Sequence, residues 1–332
     1  MKAVVLNRET ENKIELKDLT LQALGEEEVR IQIKAAALNH RDEWARQGLY
    51  PNLKDGAVFG SDGAGVVVEV GENVDKAWIG KDVVINPAMD WGNDPKAQSK
   101  AFHILGIPSN GTLAEFIQVK ADRIHLKPSH MSWEEAAALP LAGLTAFRAL
   151  MVQGRLQPGE KVLVTGFGGG VAQFAAQFAS AHGAEVYVSS SSMEKIKSAI
   201  SHGIKAGFNY RDEDWAMQAI GEVGGFDLVI DSAMGSTLDN LIQVLNPGGR
   251  LVFYGATKGN PMGFNARKVY WNQLSIIGST MGTDEDFERM LDFVITKKIT
   301  PVIDQVFELN DALEAFERMK QGLQLGKIVI RI

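Results

Sequence analysis

The run Val162-Leu163-Val164-Thr165-Gly166-Phe167-Gly168-Gly169-Gly170-Val171-Ala172 constrains this chain more than any other segment. An apolar, β-favouring stretch empties into a glycine-rich turn, and the turn opens a helix-forming stretch, Ala172 to Ala181. A strand, turn and helix in this order leave unpaired backbone N–H groups at the positive end of a helix dipole, where a pyrophosphate can sit. Alone, such glycines also make an ordinary tight turn; the context separates the two readings. From about Lys161, short apolar strands alternate with helical patterns. The strands are expected at Lys161–Thr165, Glu185–Val188, Ala206–Asn209, Asp227–Asp231, Arg250–Tyr254 and Leu274–Ser279, with helices near 170–181, 193–202, 213–221 and 236–245. This rhythm predicts an α/β fold with a doubly wound, six-stranded parallel sheet. Pro247-Gly248-Gly249 reads as a sharp stop before the fifth strand.

The first third reads differently. Val29, Ile31 and Ile33 alternate with Arg30, Gln32 and Lys34, the period-two pattern of a half-buried strand. Gly63–Gly71 and Gly80–Asn86 are further strand candidates, and Ala88–Asn110 reads as a surface loop or lobe. After Gly282 the pattern is helical, with acids in the first turn, and Asn310 is the expected cap of a second helix. Gly326-Lys327-Ile328-Val329-Ile330 closes as a strand. This tail does not continue the βαβ rhythm and is expected to pack on the N-terminal domain.

Bulk properties exclude several functions. At 332 residues, two domains are expected. A formal net charge of −7 speaks against nucleic acid or an anionic membrane as partner. With no cysteine there is no disulfide and no thiolate chemistry. The N-terminal apolar run is too short for a signal peptide, and Pro140 and Arg148 interrupt the longest apolar stretch, so a cytoplasmic protein is expected. None of the six histidines falls in a metal or nucleophile array, and no metal is expected.

The glycine turn calls for a nicotinamide dinucleotide, and the second strand suggests which one. A ribose-binding carboxylate belongs about 20 residues past the turn. The chain has Ser189-Ser190-Ser191-Ser192 there, followed by Lys195. A carboxylate would repel a 2′-phosphate by roughly 1 kcal/mol in water and several in a less polar site. Hydroxyls, Lys195 and the nearby Tyr210 suit that phosphate, so NADPH is expected. The plainer reading is that the serines cap a helix starting at Met193.

Several separated segments together resemble the medium-chain dehydrogenase/reductase superfamily, in its zinc-free quinone oxidoreductase-like branch. They are Ala36–Asp42, Gly60–Val67, Ala138–Ala146, the glycine turn and Gly326–Ile330. The resemblance implies a discontinuous GroES-like catalytic domain (1–125 and 284–332), a Rossmann domain (126–283) and a cleft between them. It also implies a homodimer or homotetramer. Zinc-dependent members would place cysteine at Asn39, histidine at Ser61 and cysteine near Leu141; none is present. Thr145, Gly166, Phe167, Gly169, Gly170, Val171, Ser190, Ser191, Lys195, Tyr210, Gly255, Ala256 and Lys327 are the positions expected to bind the nucleotide.

Without zinc, hydrogen-bond donors must take up the negative charge that follows hydride transfer. Asn39 and Tyr50 are the expected donors, with charge from Arg41. Such donors suit the delocalised oxygen of an enolate or quinol better than a simple alkoxide. A small carbonyl or quinone substrate is therefore expected. Plainer roles stand beside these: Asn39 fixing a loop, Tyr50 and Trp44 covering apolar surface, and Arg41-Asp42 forming a structural pair. Competing functions are an alcohol or aldehyde dehydrogenase with an atypical metal, and an NADPH-binding sensor of low turnover.

Overall fold

Alternation builds the first sheet. In strand Glu28–Ala37, Val29, Ile31 and Ile33 are buried while Arg30, Gln32 and Lys34 are half-buried. The computed structural model describes residues 1–332 and divides into two compact units: Met1–Ala142 with Gly282–Ile332, and Gly143–Met281. No helix is long and apolar enough to cross a membrane.

The first unit contains a seven-stranded sheet. Its order is Ile303–Glu308, Lys327–Arg331, Glu28–Ala37, Asp62–Val70, Asp82–Ile85 and Ile124–Leu126, with Phe116–Lys120 also paired to Glu28–Ala37. The expected return of the tail thus takes a definite form. Lys327–Arg331 lies antiparallel to Glu28–Ala37, with Val329 opposite Ala37, and parallel to Ile303–Glu308. Ile31, Ile33, Phe59, Ile85, Phe316 and Ile328 meet in the core beneath. The lobe 88–110 holds one small ladder, Ala88–Met89 against His103–Ile104.

Residues 126–142, expected in the Rossmann domain, lie instead in this first unit. Helix Trp133–Ala138 opens with a Ser132/Glu135 capping box, and its buried residues Ala136, Ala137 and Ala138 let it lie flat on strands Glu28–Ala37 and Asp62–Val70. Asn310 does not cap the last helix either. Leu309–Asp311 forms a 3₁₀ turn, and Asp311 stands at the N-cap of Ala312–Gln321.

In the second unit six parallel strands run in the order Ala206–Asn209, Glu185–Ser190, Lys161–Val164, Phe226–Asp231, Leu245–Phe253, Ser275–Gly278. This is the doubly wound order, and the direction of winding reverses beside Lys161–Val164. The fifth strand begins earlier than expected. Its register against the fourth strand jumps from Leu245 opposite Phe226 to Arg250 opposite Leu228, and Gly248 takes φ +78°, so Pro247-Gly248-Gly249 is an irregularity within the strand, not a stop before it.

Candidate active site

Strand pairing places Ala37 opposite Asp62, and the chain leaves that strand end into helix His40–Arg46 with Asn39 at its N-cap. The Asn39 N–H donates to Asp42 Oδ2 (2.8 Å), and its side-chain Nδ2 donates to Asp62 Oδ2 (2.9 Å). Lys327, the first residue of its strand, completes the cluster. Its Nζ donates to Asn39 Oδ1 (2.7 Å), Asp62 Oδ2 (2.9 Å) and Leu38 O (2.9 Å). The other Asp62 oxygen accepts the Leu141 N–H (2.7 Å), in the first turn of helix Pro140–Phe147. The side chains of Asp62 and Lys327 are 0% and 4% exposed. A buried ion pair persists when its remaining hydrogen-bonding capacity is satisfied, and here it is. All three ammonium hydrogens go to protein oxygens, which leaves none for the nucleotide contact expected of Lys327.

Arg41 is occupied in the same way. Nη1 donates to Ser61 Oγ (2.6 Å) and Leu105 O (2.9 Å), and Nη2 donates to Gly106 O (2.7 Å) and Ile107 O (2.9 Å). Nε donates to the Tyr50 hydroxyl (3.3 Å), and the guanidinium carbon lies 4.7 Å from the Tyr50 ring centroid. Because Tyr50 accepts from Arg41, its own O–H hydrogen remains available to a third group. Burial holds the Asp42 carboxyl above the usual carboxylate range, against the opposing pull of Arg41. His40 presents an exposed edge, yet the surrounding protein and then Lys327 hold its imidazole below the ordinary histidine pKa. Trp44 is partly exposed next to it, with ring centroids 6.0 Å apart. The unit's wide concavity of about 1020 Å³ is a separate feature, lined by Trp91, His103, Phe116 and Arg123 among others but by none of Asn39, Asp62 or Lys327.

In the second unit the glycine turn stands where the sequence placed it. Gly166 adopts φ +63°, a conformation that favours glycine, and the Phe167 N–H donates to Ser189 O (2.8 Å), tying the turn to the second strand. Helix Gly170–His182 has Gly169 at its N-cap and no side-chain cap, so its first-turn N–H groups, including those of Gly170 and Val171, face no capping side chain. A Cβ on Gly168 would stand 3.0 Å from Lys195 Nζ: the ammonium lies against the turn. Ser192 accepts the Lys195 N–H (3.3 Å) and caps helix Met193–Ser201, while the buried Ser190 hydroxyl accepts the Ser192 N–H (3.3 Å). Capping therefore accounts for Ser192, and Ser191 stands half-buried beside it. The Tyr210 N–H donates to Ser190 O (3.2 Å), which holds Tyr210 at the same strand end. Gly255 lies against Ser232 O, Ala256 is exposed, and the buried Thr145 hydroxyl meets Met281 Sδ (3.6 Å).

Residues 25–129 match the alcohol dehydrogenase GroES-like domain, and residues 170–296 match the zinc-binding dehydrogenase family. The chain is 38% identical to the zinc-type alcohol dehydrogenase-like protein YogA of Leptosphaeria maculans, over 96% of this chain and 94% of that protein. The chain belongs to the medium-chain dehydrogenase/reductase superfamily. Within this superfamily it is 30% identical to the acryloyl-coenzyme A reductase of Sulfurisphaera tokodaii, over 92% of this chain and 93% of that protein. A crystal structure of an NAD-dependent alcohol dehydrogenase superposes with a TM-score of 0.94 at 35% identity, covering 100% of both chains. The chain is accordingly an oxidoreductase of the medium-chain type.

Zinc, which the names of some superfamily relatives carry, does not fit the residues present. Asn39 and Leu141 meet at Asp62, and Ser61 accepts from Arg41, but these positions offer a carboxamide, a hydroxyl and a backbone N–H. Zinc takes thiolate, imidazole and carboxylate ligands. The Asp62 carboxylate is already bonded to an ammonium, the Asp42 carboxyl accepts the Asn39 N–H, and a guanidinium occupies Ser61. No group of three or more histidine, cysteine, aspartate or glutamate side chains is arranged to hold a metal. A nicotinamide dinucleotide does fit: the second unit has an uncapped helix start, a glycine turn without Cβ atoms at Gly168 to Gly170, and serines at the second strand end. The sequence around Asp62 carries no pattern that marks it as a partner of Lys327. The one signal for its true role was a lysine opening the otherwise apolar strand Lys327-Ile328-Val329-Ile330.

Proposed function

We propose that this medium-chain oxidoreductase is an NADPH-dependent reductase of quinones or α,β-unsaturated carbonyls that works without a metal. The observation that carries the reading is the Lys327–Asp62–Asn39 cluster, which puts a protein ammonium among the positions where the resemblance would seat zinc ligands. When bound, NADPH supplies a hydride. The first-turn N–H groups of Gly170 and Val171 hold the pyrophosphate, while Lys195, Ser190, Ser191 and Tyr210 receive the 2′-phosphate. Tyr50 donates its O–H to the substrate oxygen that gains electron density, and the Arg41 guanidinium behind the ring favours that charge. Asn39 keeps its place through Asp62 and Lys327, and one of its two amide hydrogens is left after the Asp62 bond. Donors of this kind stabilise a delocalised enolate or quinol oxygen more readily than a localised alkoxide. The acryloyl-coenzyme A reductase relative accords with an activated alkene as substrate. The acidic balance suits small molecules over nucleic acid or membrane. We take a homodimer or homotetramer in the cytoplasm as the working form.

The test is NADPH oxidation against quinones, enones and aldehydes, with NADH as control and zinc measured in the same preparation. Turnover of quinones or enones by zinc-free protein supports the reading. Bound zinc that turnover requires, or efficient oxidation of simple alcohols with quinones and enones untouched, overturns it. An alcohol dehydrogenase is the second reading, favoured by the likeness to the NAD-dependent enzyme across both units; loss of activity on chelation would select it. NADPH binding without consumption of any electrophile would select a sensor.

A further inference from the structure

The nucleotide crevice of a doubly wound sheet lies outside the C-terminal ends of its strands, where the winding reverses. Here that point is beside Lys161–Val164, and the third and fifth strands, Ala206–Asn209 and Leu245–Phe253, lie on opposite sides of it. Their loops nevertheless meet. Tyr210 leaves the third strand with its N–H on Ser190 O (3.2 Å), so its ring rises from the strand end that carries the serines. The loop after the fifth strand folds back onto the loop after the fourth: Thr257 N–H donates to Ser232 O (3.0 Å) and Lys258 N–H to Ala233 O (2.9 Å). Gly235 permits this approach, because at φ +53° a Cβ there would stand 2.3 Å from Lys258 O. So anchored, Lys258 extends its ammonium to within 5.6 Å of the Tyr210 ring centroid. Lys258 is exposed and Tyr210 is 37% exposed. A cation over an exposed aromatic face is a weak contact, readily exchanged for an anion.

We infer that Lys258 is a further binding residue for the phosphorylated ribose of NADPH, acting with Lys195 to set the preference for NADPH over NADH. The inference rests on the cofactor reading above and deepens it. The two lysines come from different edges of the same strand ends: Lys195 is anchored over the glycine turn, and Lys258 reaches over Tyr210. Tyr210 then has two tasks, to hold the Lys258 ammonium before the nucleotide enters and to pack against the adenosine afterwards. Ammonium–phosphate pairing acts as a point charge, so arginine should substitute well for lysine at an exposed site of this kind.

The experiment titrates NADPH and NADH separately into wild-type protein, Lys258→Met, Lys258→Arg and Lys195→Met, at several salt concentrations. Lys258→Met is expected to weaken NADPH about ten-fold, equivalent to about 1.4 kcal/mol, with NADH affinity unchanged. Its salt dependence for NADPH should be shallower than that of wild type, and Lys258→Arg should restore most of the affinity. An unchanged ratio of NADPH to NADH affinity in Lys258→Met, with wild type preferring NADPH, overturns this inference alone. Equal affinity of wild type for the two nucleotides overturns the cofactor reading as well. Reading a ratio within each variant keeps the result independent of partial misfolding.

Discussion

An ammonium bonded to three protein oxygens cannot be removed quietly. Lys327→Met would leave the Asp62 carboxylate buried without a countercharge, a change expected to cost about 3–5 kcal/mol, read as a lower urea midpoint. Adding Asp62→Asn to that variant should recover a large part of the loss. Tyr50→Phe tests chemistry instead of stability. It removes a hydroxyl that accepts from Arg41 and still has a hydrogen to give. Turnover of an enone should fall by about 10², with NADPH affinity and melting temperature near wild type, as stopped-flow and thermal melts would show. These residues were unevenly legible. The serine cap is local, so Ser192 could be read from its neighbours. Asn39, Arg41 and Tyr50 were found only through resemblance. The Asp62–Lys327 pair spans 265 positions and leaves no periodic trace, since a buried pair is specified by the fold that brings its strands together.

At the scale of elements, legibility followed the range of the forces. Strand, turn and helix in the second unit each depend on patterns a few residues long, and all six strands fell close to their expected places. The assignment of residues 126–142 failed because a capping box announces a helix without saying which sheet its alanines will cover. The glycine turn gives a prediction at this scale. Gly168→Val would push against the Lys195 ammonium, the far end of a flexible side chain, and not against backbone. The helix Gly170–His182 should therefore keep its melting behaviour while NADPH affinity falls about ten-fold, measured by fluorescence titration.

The two units set the behaviour of the whole molecule. The first is closed by the C-terminal segment: Arg123 Nη1 and Nη2 donate to Asp284 (2.6 and 2.7 Å), and the His125 ring packs against Phe287 at a 45° tilt with centroids 4.9 Å apart. Burial first, and nearby Arg123 in the same direction, hold the His125 imidazole below its ordinary pKa, although acidic neighbours oppose this; His40 is shifted the same way. Unfolded histidines take up protons near pH 6.5, whereas these do so only at lower pH when folded. The unfolded state thus binds more protons in that interval. Stability is complete above the unfolded pKa and is lost as pH falls through the folded values. Asp42, held high by burial, acts in the opposite sense within the carboxylate range. The melting temperature is expected to drop between about pH 7.5 and about pH 5, and less steeply in His125→Phe. The strand that carries Lys327 has one more consequence. Residues 143–281 are contiguous and leave the ribosome together, so they can fold during translation; the unit around Asp62 must wait for the strand that joins Ile303–Glu308 to Glu28–Ala37, supplied by residues 327–331. A nascent chain arrested before that strand emerges should already resist protease across 143–281 while its first 142 residues are still cut.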